Sequence, residues 1–179
     1  PFLETFIKEF PGEFPVLSFL IILMLWFSGA VIASFSGLVG GRIGDAYEGG
    51  SVIKAISYPA SHCDGCEKRI SPIQLVPVIG WLLARGRCKC GYSIPIIYPV
   101  SEFIVGTATA LAPFIMGGDV FSTCLWISLL WVLTLISYID LSEHIIPEEL
   151  TWLLLFLGLL LSPFEHDMWS RVAGAAMCC

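Results

Sequence analysis

Charged side chains are absent from Val16 through Val39, and the next one is Arg42. Comparable apolar runs follow. Ile96–Met116 carries one charge, Glu102, while Val120–Ile139 and Leu150–Phe164 carry none. A hydrocarbon core of about 30 Å takes roughly 20 apolar residues as a helix, so the first three runs predict membrane-spanning helices. The fourth is short, but the acids before it, with Thr151 and Trp152, suit a start at the interface. A fifth apolar stretch begins near Val172 and reaches Cys179. It predicts part of a further span, with Cys178 and Cys179 as lipid-facing or buried thiols. The first run is long, lacks a basic start and shows no small-x-small cleavage site, which predicts a true span rather than a signal peptide.

Composition agrees with this pattern. Of 179 residues 56% are hydrophobic and 13% charged, against about a quarter charged in a soluble domain. Seven of the nine Lys and Arg residues fall between Gly40 and Pro95: Arg42, Lys54, Lys68, Arg69, Arg85, Arg87 and Lys89. The positive-inside rule makes that loop cytoplasmic. Gly117–Asp119 then forms a short outer turn, and Asp140–Glu149 returns to the cytoplasm. The expectation is an all-α polytopic membrane protein, a helical bundle with a cytoplasmic zinc-ribbon-like loop. Its parts are an outer segment and first span (1–39), a four-cysteine metal-binding domain (40–95) and a transmembrane bundle incomplete at its C-terminus (96–179). The net charge of −6 bears on solubility and partner charge, not on fold. The lipid bilayer is the expected surrounding, and no nucleic-acid partner is expected.

Four of the seven cysteines lie in the polar loop, as Cys63-Asp-Gly-Cys66 and Cys88-Lys-Cys90-Gly91. Two cysteine pairs about twenty residues apart predict a zinc ribbon, with four thiolates around one ion. A cytoplasmic site keeps thiols reduced, which argues against structural disulfides. Four unrelated thiols and a redox pair are the alternatives. His62 could replace a ligand but as a lone histidine suits polar surface. The second pair is Cys-x-Cys, one residue shorter than usual, which narrows its turn. Cys124, inside a span, suits a packed small residue.

Asp140 ends the uncharged run Trp131–Ile139. An ionisable group at that depth is a functional candidate, and the plain alternative is an aspartate marking the water boundary. On a continued helix Glu143 and His144 would share its face, as a weak metal motif or as interfacial polar residues before Pro147. Glu102, early in the second span, is costly in lipid and should face protein or water, bracing the loop or lining the site.

These residues together resemble the type IV prepilin peptidases. Ala33-Ser-Phe35 with Arg42 is similar to that family's Gly-Ser-Phe-Leu-Asn…Arg. The cysteine loop with Pro77-Val-Ile-Gly-Trp81 and Arg85-Gly-Arg-Cys88, then Tyr98-Pro99-x₂-Glu102, resembles its loop and second-span entry. Ile139-Asp140 followed by Ile146-Pro147-x₂-Leu150-Thr151 resembles the segment of its first catalytic aspartate. The resemblance implies a bacterial inner-membrane aspartic endopeptidase, with zinc loop and Asp140 cytoplasmic. It implies removal of the basic leader from prepilins or pseudopilins, then N-methylation of the new N-terminus from S-adenosylmethionine. Asp140 takes the catalytic position, with Arg42, Glu102 and Glu143 in support, and Cys63, Cys66, Cys88 and Cys90 take zinc. The family's second aspartate sits in a Gly-x-Gly-Asp motif that this sequence lacks. Gly117-Gly118-Asp119 is out of order and follows Met116. The chain therefore resembles an N-terminal portion. Gly37 at the family's asparagine position and the short Cys88-x-Cys90 are departures that bear on methylation. A non-catalytic zinc-ribbon membrane adaptor and a membrane thiol oxidoreductase are the rival functions.

Overall fold

The structure, a computed structural model, describes residues 15–44, 61–63 and 65–161. The stretch from Val172, with Cys178 and Cys179, lies outside the described residues, as do Lys54 and the first fourteen positions. Helix α1 spans Pro15–Gly40, and a 3₁₀ turn at Pro72–Leu75 leads to the short α2, Ile79–Leu83. Helices α3 (Ile97–Ile115), α4 (Val120–Glu143) and α5 (Glu148–Leu161) complete the order. Among the described residues there is no strand beyond two isolated antiparallel bridges. Helices α1, α3 and α4 are each long and apolar enough to cross a membrane.

The helix ends follow local chemistry. Pro99 is tolerated in the first turn of α3 because the amides there have no partner inside the helix. Gly117 and Gly118 take φ of 68° and 83°, a left-handed turn that suits residues without Cβ. Asp119 then caps α4, accepting the Ser122 amide at 2.6 Å. At the far end His144 takes φ 55°, its amide bonding the Asp140 carbonyl at 2.9 Å. The helix therefore stops at Glu143. The continued helix on which His144 would share a face with Asp140 is not formed: His144 is the left-handed cap at which α4 ends.

In lipid there is little hydrophobic force between helices, so close backbone approach through small residues holds them. A methyl built on Gly29 would lie 2.4 Å from Thr109 Oγ1 and 2.8 Å from the Val105 carbonyl oxygen. Ala30 and Ala33 are fully buried on the same helix. Trp131 of α4 donates its indole N–H to Thr109 at 3.2 Å, and Trp26 of α1 donates to Thr107 at 3.3 Å. Cys124 is exposed on α4, which corrects its expected packed position; its thiol is on the outer surface of a spanning helix.

At the end where α1 stops, Gly37 meets the Tyr98 ring, and Gly40 meets the Tyr138 carbonyl. The rings of Tyr98 and Tyr138 stack 6.4 Å apart, and Tyr138 also hydrogen-bonds Ser101. Val39, Ile43 and Ile139 form a buried cluster there, packed by Leu135 and Leu150. The polar loop between α1 and α3 opens from this end, so α1 and α4 run one way and α3 the other.

Candidate metal centre and membrane-edge carboxylates

Each cysteine pair sits on a tight hairpin. In the first, the Cys63 amide bonds the Lys68 carbonyl at 3.0 Å, and the Cys66 and Glu67 amides bond the Cys63 carbonyl at 3.3 and 2.8 Å. In the second, the Cys88 amide bonds the Tyr92 carbonyl at 2.8 Å, and the Gly91 amide returns to the Cys88 carbonyl at 2.9 Å. Gly91 has φ 92°, the conformation that closes the short turn and that a side chain would strain. Gly65 packs so closely on Tyr92 that a methyl would lie 2.8 Å from its Cβ.

The hairpins bring Cys63 Sγ to 3.7 Å from Cys90 Sγ, and Cys66 Sγ to 4.0 Å from Cys88 Sγ. All four sulfurs lie within 4.8 Å of one another. Four sulfurs about 2.3 Å from a tetrahedral ion would sit about 3.8 Å apart, whereas a disulfide needs about 2.05 Å. The set therefore fits a four-coordinate soft cation such as zinc. The missing residue of Cys88-x-Cys90 does not keep the site from closing. Among the described residues this is the one cluster of histidine, cysteine or acid side chains shaped for a metal; neither His62 nor the Asp140–Glu143–His144 group belongs to it.

The thiols are not equivalent. The Cys90 amide, then Cys63, favour the Cys88 thiolate and bring its pKa down to about 7. For Cys63 the Gly65 amide acts downward, but burial and the thiols of Cys88 and Cys90 outweigh it, and the net shift is upward. A metal ion requires thiolates, so near neutral pH Cys88 is readier to ligate than Cys63.

The loop is tied to the bundle by Glu102. This side chain is 7% exposed on α3, and its Oε2 accepts the Val78 amide at 2.6 Å. Val78 has φ 61° and ψ −53°, and the Ile79 amide bonds the Pro77 carbonyl at 2.6 Å. That is the γ-turn of positive φ, rare and strained, at a β-branched residue for which positive φ is an outlier. Sequence reasoning singled out Glu102 but not Val78. The partner lies 24 positions away, and no local pattern announces it.

Asp140 is exposed, one residue past fully buried Ile139. Because Ile139 and Tyr138 face α1 and α3, the rotation of α4 is fixed and Asp140 points away from that pair. Glu143 reaches toward the chain just after α1: a methyl on Gly44 would lie 2.6 Å from its Oε2. Arg42, two residues before Gly44, is half-buried at the same end. The structure thus gathers Arg42, Glu143, Asp140 and the anchored cysteine loop at one end of the bundle.

The family description "Bacterial Peptidase A24 N-terminal domain" matches residues 27–116. A prepilin leader peptidase/N-methyltransferase of Dichelobacter nodosus is 34% identical over 120 residues, which cover 65% of this chain and 42% of that protein. The one from Klebsiella pneumoniae is 31% identical over 159 residues, 86% of this chain and 66% of that protein. The one from Bacillus subtilis is 29% identical over 159 residues, 86% and 60%. The chain spans less than half the length of the Dichelobacter relative. No solved structure matches it. Matched from α1 to the end of α3, through both cysteine hairpins and Glu102, the chain belongs to the prepilin leader peptidase family and carries its peptidase A24 N-terminal domain.

Proposed function

We propose that this chain forms the cysteine-loop half of a membrane-edge aspartic endopeptidase that removes the basic leader of prepilins or pseudopilins. The observation that carries the reading is the position of Asp140. It is exposed at the end of a spanning helix whose rotation is locked by Ile139, at the end of the bundle that bears the four-thiol loop. The printed names of the relatives support the substrate class.

In this reading Asp140 is one member of a carboxylate dyad, and the second belongs to a part of the enzyme outside these 179 residues. One carboxylate, ionised, takes a proton from water as its oxygen attacks the scissile carbonyl carbon. The other, protonated, donates to the carbonyl oxygen. The amine then leaves with a proton returned from the dyad. The two titrate as a unit. Arg42 and Glu143 lie at the same end of the bundle as Asp140, and Glu102 holds the loop in place. Zinc bound by Cys63, Cys66, Cys88 and Cys90 closes the loop. The seven basic residues of the loop favour a cytoplasmic side for the loop and Asp140, in a bacterial inner membrane. The three segments 1–39, 40–95 and 96–179 are the proposed domains.

N-methylation of the new N-terminus from S-adenosylmethionine is a second proposed activity, supported by the double name of the relatives; no residue described here is assigned to it. Full-length enzyme in detergent, given a prepilin, should yield the leaderless product on a gel. An intact prepilin after long incubation would leave the zinc-ribbon adaptor as the better reading. Disulfide formation within the loop coupled to substrate oxidation would favour the thiol oxidoreductase.

A further inference from the structure

The segment between the two cysteine hairpins carries an apolar surface that neither the metal centre nor the peptidase reading uses. Ile73, Leu75, Ile79, Leu82 and Leu83 are between 48% and 65% exposed. Their side is set by packing. Gly80 is buried against the 3₁₀ turn, where a methyl would lie 2.1 Å from the Gln74 carbonyl oxygen. Trp81 turns toward the second hairpin and donates its indole N–H to the Ile94 carbonyl at 3.1 Å. Positions 79, 82 and 83 share one helical face, and that face is left pointing away from the hairpins.

The height of this face in the membrane follows from Glu102. Helix α3 has 19 residues, about 28 Å at the usual rise per residue, close to the thickness of a hydrocarbon core. Glu102 is the sixth residue of α3, about 7 Å inward from its start. The Val78 amide reaches the Glu102 carboxylate at 2.6 Å, so the backbone beside Ile79 lies at the level of the second turn of a spanning helix. An exposed leucine at that level meets lipid rather than bulk water. Exposed Phe103 and Ile104 on α3 continue the same apolar level on the spanning helix. Exposed Arg85 and Arg87 follow directly, and long basic side chains beside an apolar face at this height reach anionic headgroups.

We propose that residues 73–83 form an in-plane foot that rests in the headgroup and acyl boundary of the bilayer, with Arg85 and Arg87 against anionic lipid. The bilayer is thus a second, lateral support for the cysteine loop, alongside the Glu102 tie. A foot of this kind differs from a spanning helix in lying along the interface, with its apolar face down and its charges at the rim.

The test places a nitroxide side chain at Leu82, and separately at exposed Lys68 on the first hairpin, in the full-length protein. Each is reconstituted in phosphatidylcholine vesicles with and without phosphatidylglycerol. Collision with oxygen, which concentrates in lipid, is compared with collision with a water-soluble nickel chelate. Metal content verifies that each labelled protein keeps its loop folded. The ratio of oxygen to nickel collisions should be several-fold higher at 82 than at 68. Removing phosphatidylglycerol should lower it at 82, and an Arg85→Gln, Arg87→Gln protein should not respond to the lipid change. A label at 82 as open to nickel as the one at 68 would place the face in water and overturn the proposal. A label screened from both reagents would show protein covering it, and also overturn it. A ratio at 82 that ignores phosphatidylglycerol would overturn the role given to Arg85 and Arg87.

Discussion

The Glu102 carboxylate on a spanning helix and the Val78 amide in the cysteine loop form a 2.6 Å hydrogen bond at a residue held in a strained turn. Strain of that kind persists where its surroundings over-determine it. Here the surroundings are a buried carboxylate and the close fit of Gly80 beneath the turn.

Removing the acceptor should release the turn. Glu102→Leu leaves the Val78 amide without its side-chain acceptor, a loss of roughly 2 kcal/mol. Glu102→Gln keeps an acceptor and should lose less. Limited proteolysis in detergent should cut the loop sooner in Glu102→Leu than in Glu102→Gln, with the parent protein slowest. Equal cutting in all three would mean that the tie does not hold the loop.

The four thiols should bind one zinc per chain, measured by elemental analysis of reduced, freshly purified protein. Cys63→Ser or Cys90→Ser should lower the zinc content, because each removes one corner of a four-ligand site. In metal-free protein, Cys88 should be alkylated at lower pH than Cys63, half-maximally near pH 7, since the thiolate is the nucleophile. Cys63, whose pKa is shifted upward, should react at higher pH. Peptide mass spectrometry after a pH series of iodoacetamide pulses reads both, and zinc should suppress them. Reversal of the order would contradict the roles given to the Cys90 amide and to burial.

Two aspartates offer a contrast. In the complete enzyme, Asp140→Asn should abolish leader cleavage while the protein still folds, because asparagine can neither take nor give the proton. Asp119→Asn should cleave normally, since asparagine caps a helix about as well as aspartate. Asp119→Ala should lower thermal stability without touching cleavage. The Ser122 hydroxyl and amide hold the Asp119 carboxyl below the ordinary aspartate range. Its capping contribution is therefore present at neutral pH and fades as pH falls through that lowered value. Cleavage by Asp140→Asn would falsify its assignment.

The contact of α1 with α3 should not tolerate a methyl at Gly29. The added Cβ would meet both Thr109 and the rigid Val105 carbonyl, and overpacking of this kind typically costs about 1–3 kcal/mol. Gly158→Ala, which meets nothing within 4 Å, is the control. Thermal unfolding in detergent should separate the two, and equal midpoints would show that α1 and α3 can part without penalty.

The helices were legible because their signal is a run of like residues. Val16–Val39 and Pro15–Gly40 differ by one position at each end. The grouping of the four thiols was legible from cysteine spacing, although spacing alone did not show that Gly91 closes the narrowed second turn. The bond from Val78 to Glu102 was not, since it joins positions far apart and involves a backbone amide that every residue but proline carries. The left-handed step at His144 was also hidden. It is a single backbone dihedral, and the helical period runs straight through it. Cys124 was misread because a uniformly apolar helix does not reveal which side packs against its neighbours.

The stacked rings of Tyr98 and Tyr138 beside Gly37 have a consequence for the chain's connectivity. Helix α1 ends at Gly40 and α3 begins at Ile97, with Gly37 and the Tyr98 ring close enough that a methyl on the glycine would lie 2.9 Å from it. The exit and the entrance share one doorway. The cysteine loop therefore starts and finishes at neighbouring helix ends, a gap that a short linker would bridge. Chains that gain, lose or exchange such a module can do so without re-threading a single spanning helix.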